Sequence, residues 1–296
     1  MSTPVAVGYD DSEHSERAVA WALDEARLRG LPLLLVTVHL TMGAPPPPAE
    51  GETDPSAERK SVQDMLDAAK RRLELTAPDV SIETALISAS TSSGGLVSES
   101  HKWALLVLGD RGRGGFAGIL LGSTTTQVSA HAHCPVIVVR DTDTGDGPNA
   151  GRVVIGVDGS VLSQAAVRFG LREARLRRLP VTVLHAWHYP TTTRDGYFVL
   201  GVGDREAMEN RATAVLSDSL AGIRREYADV EVTRTSLHGN TRQILLEQSR
   251  GAQLLVVGSR GHGGFAGLVL GSTSQAMLHH AHAPVAIVHA ADEATP

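Results

Sequence analysis

Cysteine is almost missing from this chain of 296 residues. Cys134 stands alone, which excludes an internal disulfide and suits a reducing compartment. Its place before Pro135 reads as a small packed side chain rather than a reactive thiol. Positive charge is short, with 27 Lys+Arg against 33 Asp+Glu and a formal charge of −6. The basic face that nucleic acid or an anionic membrane requires is therefore not expected. No apolar run reaches the roughly 18 residues that cross a bilayer. Met1-Ser2-Thr3-Pro4 leads straight into a strand-like segment, so no signal peptide and a cytoplasmic location are expected.

What the chain has in plenty is glycine, and two of its glycine-rich turns match. Gly109-Asp110-Arg111-Gly112-Arg113-Gly114-Gly115-Phe116-Ala117-Gly118-Ile119-Leu120-Leu121-Gly122-Ser123 returns 149 residues later, from Gly258 to Ser272. Between 103–125 and 252–274, 15 of 23 positions are identical, too many for shared secondary structure alone. The match extends outward. Gly8-Tyr9-Asp10 answers Gly156-Val157-Asp158, Glu25-Ala26-Arg27-Leu28-Arg29 answers Glu173-Ala174-Arg175-Leu176-Arg177, and His131-Ala132-His133 answers His280-Ala281-His282. The chain reads as a tandem repeat, with one domain over 1–140 and another over 152–296. The polar, glycine-rich stretch 141–151 reads as a linker.

Each half carries the same alternation. Short β-branched runs at 4–9 and 152–157 read as strand one, and Ser12 and Ser160 are N-caps for the helix that follows. Ala18, Ala22 and Ala26, with Val19 and Leu23, give that helix an apolar stripe. Further strands fall at 33–39, 80–87, 104–108 and 135–140, and at 181–185, 230–237, 253–257 and 284–289. The helices between them are predicted over 56–75 and 93–102, and over 204–226 and 240–250. Ser92-Ser93-Gly94-Gly95 makes the one at 93–102 a poor helix former, and a looser region is expected there. Strands apolar on both faces and alternating with helices predict an α/β fold of two doubly wound parallel sheets.

In such sheets ligands bind beyond the carboxyl ends of the strands. Strand one ends in Gly-x-Asp, and strand four ends in Gly109-x2-Gly112-x9-Gly122-Ser123, or Gly258-x2-Gly261-x9-Gly271-Ser272. Glycines there let main-chain N–H groups approach an anion, and Gly-Ser opens a helix with orphan donors and a dipole. A flexible surface loop is the plain alternative. Neither Gly-x-Gly-x2-Gly nor Gly-x4-Gly-Lys-Ser/Thr is present, so dinucleotide and P-loop readings are disfavoured. Asp10 and Asp158 suit ribose hydroxyls better than phosphate, or else cap helix one. Arg111 and Arg260 either neutralise phosphate or are solvated. The histidines at 131, 133, 279, 280 and 282 fit a helix C-terminus better than a metal site. Two inserts differ between the halves: Met42–Pro55, with four consecutive prolines, and a segment with Trp187, Tyr189, Tyr197 and Phe198. The aromatics either cover a base or shield a sheet edge.

At these residues the chain resembles the tandem-domain, ATP-binding universal stress proteins. The resemblance implies five-stranded sheets in order 3-2-1-4-5, with the halves paired through strand five as an intramolecular pseudo-dimer; a homodimer is a further option. It implies adenine against the main chain of Leu40 and Ala186, each placed just after a strand-two histidine, and ribose on Asp10 and Asp158. Phosphates would lie on Gly109, Gly112, Gly122 and Ser123, and on Gly258, Gly261, Gly271 and Ser272, with Mg2+ or Mn2+ alongside. Thr124 and Thr273, next in line, are further phosphate contacts. Asp110 in place of Ser259 brings an extra negative charge to the first turn. The expected function is a nucleotide-dependent regulator of stress response or growth arrest, acting on a protein partner the sequence does not identify. The alternatives are a slow ATP-hydrolysing enzyme, since no carboxylate for the attacking water stands out, and a nucleotide-free scaffold.

Overall fold

The computed structural model describes residues 3–41, 55–113, 121–141, 146–188, 193–194, 197–198, 202–261 and 270–289. The insert expected at 42–55 and the centres of both glycine turns lie outside them, except Pro55. The chain divides into two compact units, Met1–Asp141 and Thr142–Ala290.

In the first unit the order is β1 (Val5–Gly8), α1 (Glu13–Arg29), β2 (Leu33–Leu40), α2 (Pro55–Thr76) and β3 (Ile82–Ala89). Then come α3 (Ser92–Glu99), β4 (Leu105–Gly109), α4 (Ser123–His131) and β5 (Val136–Val139). The strands are parallel and lie in the order β3-β2-β1-β4-β5. Helices α1 and α2 cover one face, and α3 and α4 the other. β4 and β5 are buried throughout, which is why they read as unbroken apolar runs. Leu33, Leu35, Leu105, Leu106 and Ile137 have no accessible surface, each contributing about 1.5–3 kcal/mol.

The second unit repeats the plan. Its elements are β6 (Val153–Gly156), α5 (Val161–Arg177), β7 (Val181–Trp187), the short pair β8 (Thr193–Arg194) and β9 (Tyr197–Phe198), and α6 (Val202–Leu220). They continue with β10 (Val232–His238), α7 (Thr241–Gln248), β11 (Leu254–Gly258), α8 (Ser272–His280) and β12 (Val285–Val288). The parallel order is β10-β7-β6-β11-β12, again 3-2-1-4-5 within the unit. β8 and β9 form a separate, antiparallel ladder.

Local chemistry sets the boundaries. Ser12 and Ser160 cap α1 and α5, their hydroxyls accepting the N–H of Ser15 and Ser163. α1 stops at Gly30, whose φ of 64° is the left-handed conformation glycine takes freely. α6 ends six residues before the expected 226; the chain turns at Gly222, φ 79°. The doubtful helix is present as α3, capped by Thr91 on the Gly94 N–H. Gly95 lets it sit down on the sheet, because a Cβ there would stand 3.0–3.1 Å from Ala89 and Val38. Composition alone misjudged that segment.

Two features were not anticipated. Glu25 and Glu173 are wholly buried in α1 and α5, each paired with the arginine four residues on, Arg29 and Arg177. This explains the repeated Glu-Ala-Arg-Leu-Arg. Residues 147–151 of the polar connecting stretch pack on the second unit: Asn149 is 3% exposed and donates to the carbonyl and side-chain oxygens of Gln248, both at 2.9 Å. Thr182 donates to its amide oxygen at 2.7 Å. Asn149→Ala should therefore destabilise the second unit by about 1–3 kcal/mol, the cost of buried polar groups left unpaired, read as a lower urea midpoint. A change under a few tenths would show those bonds to be replaced by water.

Candidate functional site

β1 and β4 are neighbours, so their carboxyl ends deliver Asp10 and the glycine turn to the same place. Asp10 Oδ1 accepts the Ser12 N–H at 3.2 Å and the Ser12 hydroxyl at 2.6 Å. Oδ2 accepts the Arg113 N–H at 2.8 Å, across from β1 to the turn after β4. Asp10 thus orients the N-cap Ser12 without being the cap itself. Of a carboxylate's roughly four acceptor positions, three are used and one remains.

The glycines act through size. Gly109, Gly112 and Gly122 all have negative φ, against the expectation that backbone freedom is their use. A Cβ on Gly109 would stand 2.6 Å from the His14 carbonyl oxygen, and one on Gly112 2.6 Å from Asp10 Oδ2. Glycine at these positions lets α1 and the carboxylate touch the turn. The second unit repeats the device: a Cβ on Gly258 would crowd the Leu162 carbonyl, and one on Gly261 would collide with Asp158 Oδ2. Asp158 Oδ1 accepts the Ser160 N–H at 3.0 Å, as in the first unit.

The turn returns to a helix N-terminus. The Gly122 N–H donates to the Asp110 carbonyl at 2.8 Å, and Gly271 to Ser259 at 2.8 Å. Thr125 and Ser274 donate from α4 and α8 to the carbonyls of Gly109 and Gly258, at 2.9 and 2.7 Å. These bonds set each helix start beside its strand end, and neither residue was foreseen. Gly122 and Gly271 are N-caps without a side-chain bond, so no side-chain oxygen caps the first-turn donors of α4 and α8. A Cβ on Gly122 would meet nothing nearer than 3.5 Å; its absence leaves room for something else.

A cleft of about 640 Å³ lies in front of α4. It takes in Asp10, Gly109, Arg111, Gly112, Gly122, Ser123 and Thr124 from the expected set. Val36, Val38, Leu96 and Leu108 give it an apolar end, and Tyr9, Ser15, Thr37 and Ser92 also border it. Arg111 Nε is buried without a hydrogen-bond partner among the described residues, which suits an anion. Asp110 does not border the cleft. It is 8% exposed, meets His14 Nδ1 at 2.6 Å and has Arg111 Nε at 4.0 Å. The extra charge expected against phosphate is turned under the turn, against His14 and Arg111.

Leu40 is the residue the sequence misplaced. The Val36 carbonyl accepts the Tyr9 N–H, so main-chain groups two residues on, at Val38, face the open edge beyond β1. In the second unit the Leu184 carbonyl accepts the Val157 N–H, which puts Ala186 in that position. Ala186 therefore corresponds to Val38, and Leu40, 52% exposed, does not border the cleft. Matching the halves on His39 and His185 shifted the strands by two residues. By register His185 answers Thr37: each side chain meets the carbonyl at the end of the first strand, Val157 at 2.7 Å and Tyr9 at 2.6 Å. A shift of two keeps every side chain on its face, so strand alternation gave no warning of it.

At the end of α4, His131 Nδ1 lies 2.9 Å from the Gln127 carbonyl. Among the described residues no three His, Cys, Asp or Glu side chains gather as a metal site, and no helix is long and apolar enough to cross a membrane.

The sheet order, the carboxylate against the glycine turn and the duplicated helix start define the class. The family model for universal stress proteins matches residues 1–140 and 149–289. Universal stress protein Rv2623 of Mycobacterium tuberculosis is 34% identical over 292 residues, covering 97% of this chain and 96% of that protein. This chain belongs to the universal stress protein family. A solved universal stress protein from Archaeoglobus fulgidus shares the fold, with TM-score 0.67 and 18% identity over 98% of this chain and 100% of that one. A universal stress protein in complex with cAMP overlaps 47% of this chain with TM-score 0.36, too little to assign a ligand here.

Gly112→Ala should push the Asp10 carboxylate off the turn and release the Arg113 amide. Gly122→Ala should leave that bond in place. Hydrogen exchange at Arg113 reads both: equal protection in the two variants would refute the contact.

Proposed function

We propose that both units bind ATP, with Mg2+ or Mn2+ carried on the triphosphate, and that occupancy makes the chain a nucleotide-dependent regulator of stress response or growth arrest. The observation that carries this is the α4 start: first-turn N–H groups without a side-chain cap, opening on a cleft beside an Arg111 Nε that makes no hydrogen bond among the described residues. In this reading phosphates lie on Gly109, Arg111, Gly112, Gly122, Ser123 and Thr124, and on Gly258, Arg260, Gly261, Gly271, Ser272 and Thr273. Asp10 and Asp158 take a ribose hydroxyl each, Asp10 with its remaining acceptor position. The base sits against Val38 and Leu96, and against the main chain of Ala186.

The cation fits this picture without a protein cage. Magnesium keeps most of its waters and is held through phosphate oxygens, so the chain need supply little beyond a hydrogen-bonded shell. Asp10 is the lone carboxylate among the described residues that border the cleft, and it already serves Ser12 and Arg113. With no second carboxylate or histidine there to activate water, hydrolysis is slow at most. A regulator needs a ligand with different affinity for two states, and β4, the turn and α4 are the elements ATP would hold together.

Calorimetric titration of the full chain with ATP and Mg2+ tests this. Binding is expected to weaken about tenfold or more in Asp10→Ala with Asp158→Ala, from the loss of a charge-assisted hydrogen bond in each unit. No heat at millimolar ATP, or undiminished binding in the double variant, would overturn the reading. Turnover of several per second would replace the regulator by an enzyme.

A further inference from the structure

Just after Asp10 the backbone bends in a way that few side chains accept. Asp11 has φ 61°, and Gly159, which follows Asp158, has φ 84°. Both are left-handed, a conformation that glycine takes freely and an L side chain takes at a cost. The bend serves the same end in both units. It swings the Ser12 N–H back onto Asp10 Oδ1 at 3.2 Å and the Ser160 N–H onto Asp158 Oδ1 at 3.0 Å. Each carboxylate is thus held by the chain that follows it.

The first unit holds this bend without glycine. The Tyr9 ring, 4% exposed, borders the cleft, and its hydroxyl lies 3.0 Å from Asp11 Oδ1 and 2.9 Å from Glu16 Oε1. Arg72 of α2 donates to both oxygens of Glu16, at 2.6 and 2.8 Å, which fixes that carboxylate. Burial, then Glu16, then Asp11, pushes the phenol above its ordinary pKa, so it stays a donor. Tyr9 and Asp11 therefore meet across the residue between them, Asp10. The second unit has Val157 for Tyr9, Gly159 for Asp11 and Gln164 for Glu16, and so has neither the hydroxyl nor the two carboxylates.

We propose that Tyr9 and Asp11 are positioning residues of the first nucleotide site, their bond holding the left-handed bend that aims the Asp10 carboxylate across the cleft. The inference rests on the nucleotide reading above. Without the hydroxyl, two carboxylates are left together with only Arg72, on Glu16, to offset them. Asp11 is then repelled toward solvent and out of its left-handed conformation. Asp10 loses the Ser12 N–H, and with it the aim of its other oxygen at the Arg113 N–H. Gly159 keeps the same bend unaided, so the second site has no such dependence. Each unit carries a matched pair, tyrosine with aspartate or valine with glycine.

A double-mutant cycle tests the pairing in the full chain carrying Asp158→Ala, where the first unit is the stronger ATP site. Tyr9→Phe keeps the ring and should weaken ATP with Mg2+ by about threefold or more in calorimetry, as the loss of one hydrogen bond implies. With Asp11→Gly already present, the same change should alter affinity by less than about 1.5-fold, because glycine needs no clamp. Asp11→Ala and Asp11→Gly lose the same carboxylate, so their comparison isolates the backbone whatever Tyr9→Phe does to folding. Asp11→Ala should bind ATP about threefold more weakly than Asp11→Gly. Exchange of the Arg113 amide, read without nucleotide, should follow suit: faster after Tyr9→Phe when Asp11 is present, and unaltered by it in Asp11→Gly protein. A Tyr9→Phe loss equal in both backgrounds, no loss in either, or equal binding by Asp11→Ala and Asp11→Gly would overturn the proposal. No ATP binding by the Asp158→Ala parent, with the exchange pattern as expected, would sink the nucleotide reading and leave the clamp on Asp10 standing.

Discussion

One contact organises both units: the carboxylate at the end of the first strand pressed against a glycine in the turn after the fourth. Asp10 takes the Arg113 N–H and leaves no space for a side chain at Gly112. Asp158 stands in the same relation to Gly261. The contact requires β1 and β4 to be neighbours, which the order 3-2-1-4-5 provides. It also positions the next helix, because the turn closes on itself through Gly122 and Asp110 before α4 begins. A helix start without a side-chain cap would be a defect in a protein core; at the mouth of a cleft it is a ready anion site.

Repetition is what made the fold and most of the site legible. A glycine turn is weak evidence once, but two copies with matched spacing and matched Gly-x-Asp partners restrict where the turn can lie. The strands with no polar face declared themselves as buried parallel strands, and Ser12 and Ser160 marked the helix starts. What stayed hidden were distances through space. His39 and His185 look equivalent by residue type, yet hydrogen-bond register puts Thr37 opposite His185 and moves the position proposed for a base from Leu40 to Val38. Gly94-Gly95 made the helix over 93–102 look a poor former because propensity ignores the close packing that glycine permits. Asp110 looked hostile to phosphate because sequence does not say which way a buried side chain turns.

The same comparison between halves shows where the units were free to differ. The turn, the aspartate and the helix start are held in common, while Val157 stands where the first unit has Tyr9 with its bonds to Asp11 and Glu16. Duplication can relieve one copy of a constraint that the other still meets. In the first unit Tyr9, Glu16 and Arg72 are joined by hydrogen bonds between α1 and α2.

A structure of the full chain grown with ATP and Mg2+ bears most directly on the central claim. The account requires phosphate oxygens within hydrogen-bond reach of the Ser123 and Thr124 amides and a ribose hydroxyl on Asp10, with the turn still closed on the carboxylate. Nucleotide bound elsewhere, or a cleft that remains empty at millimolar ATP, would contradict it.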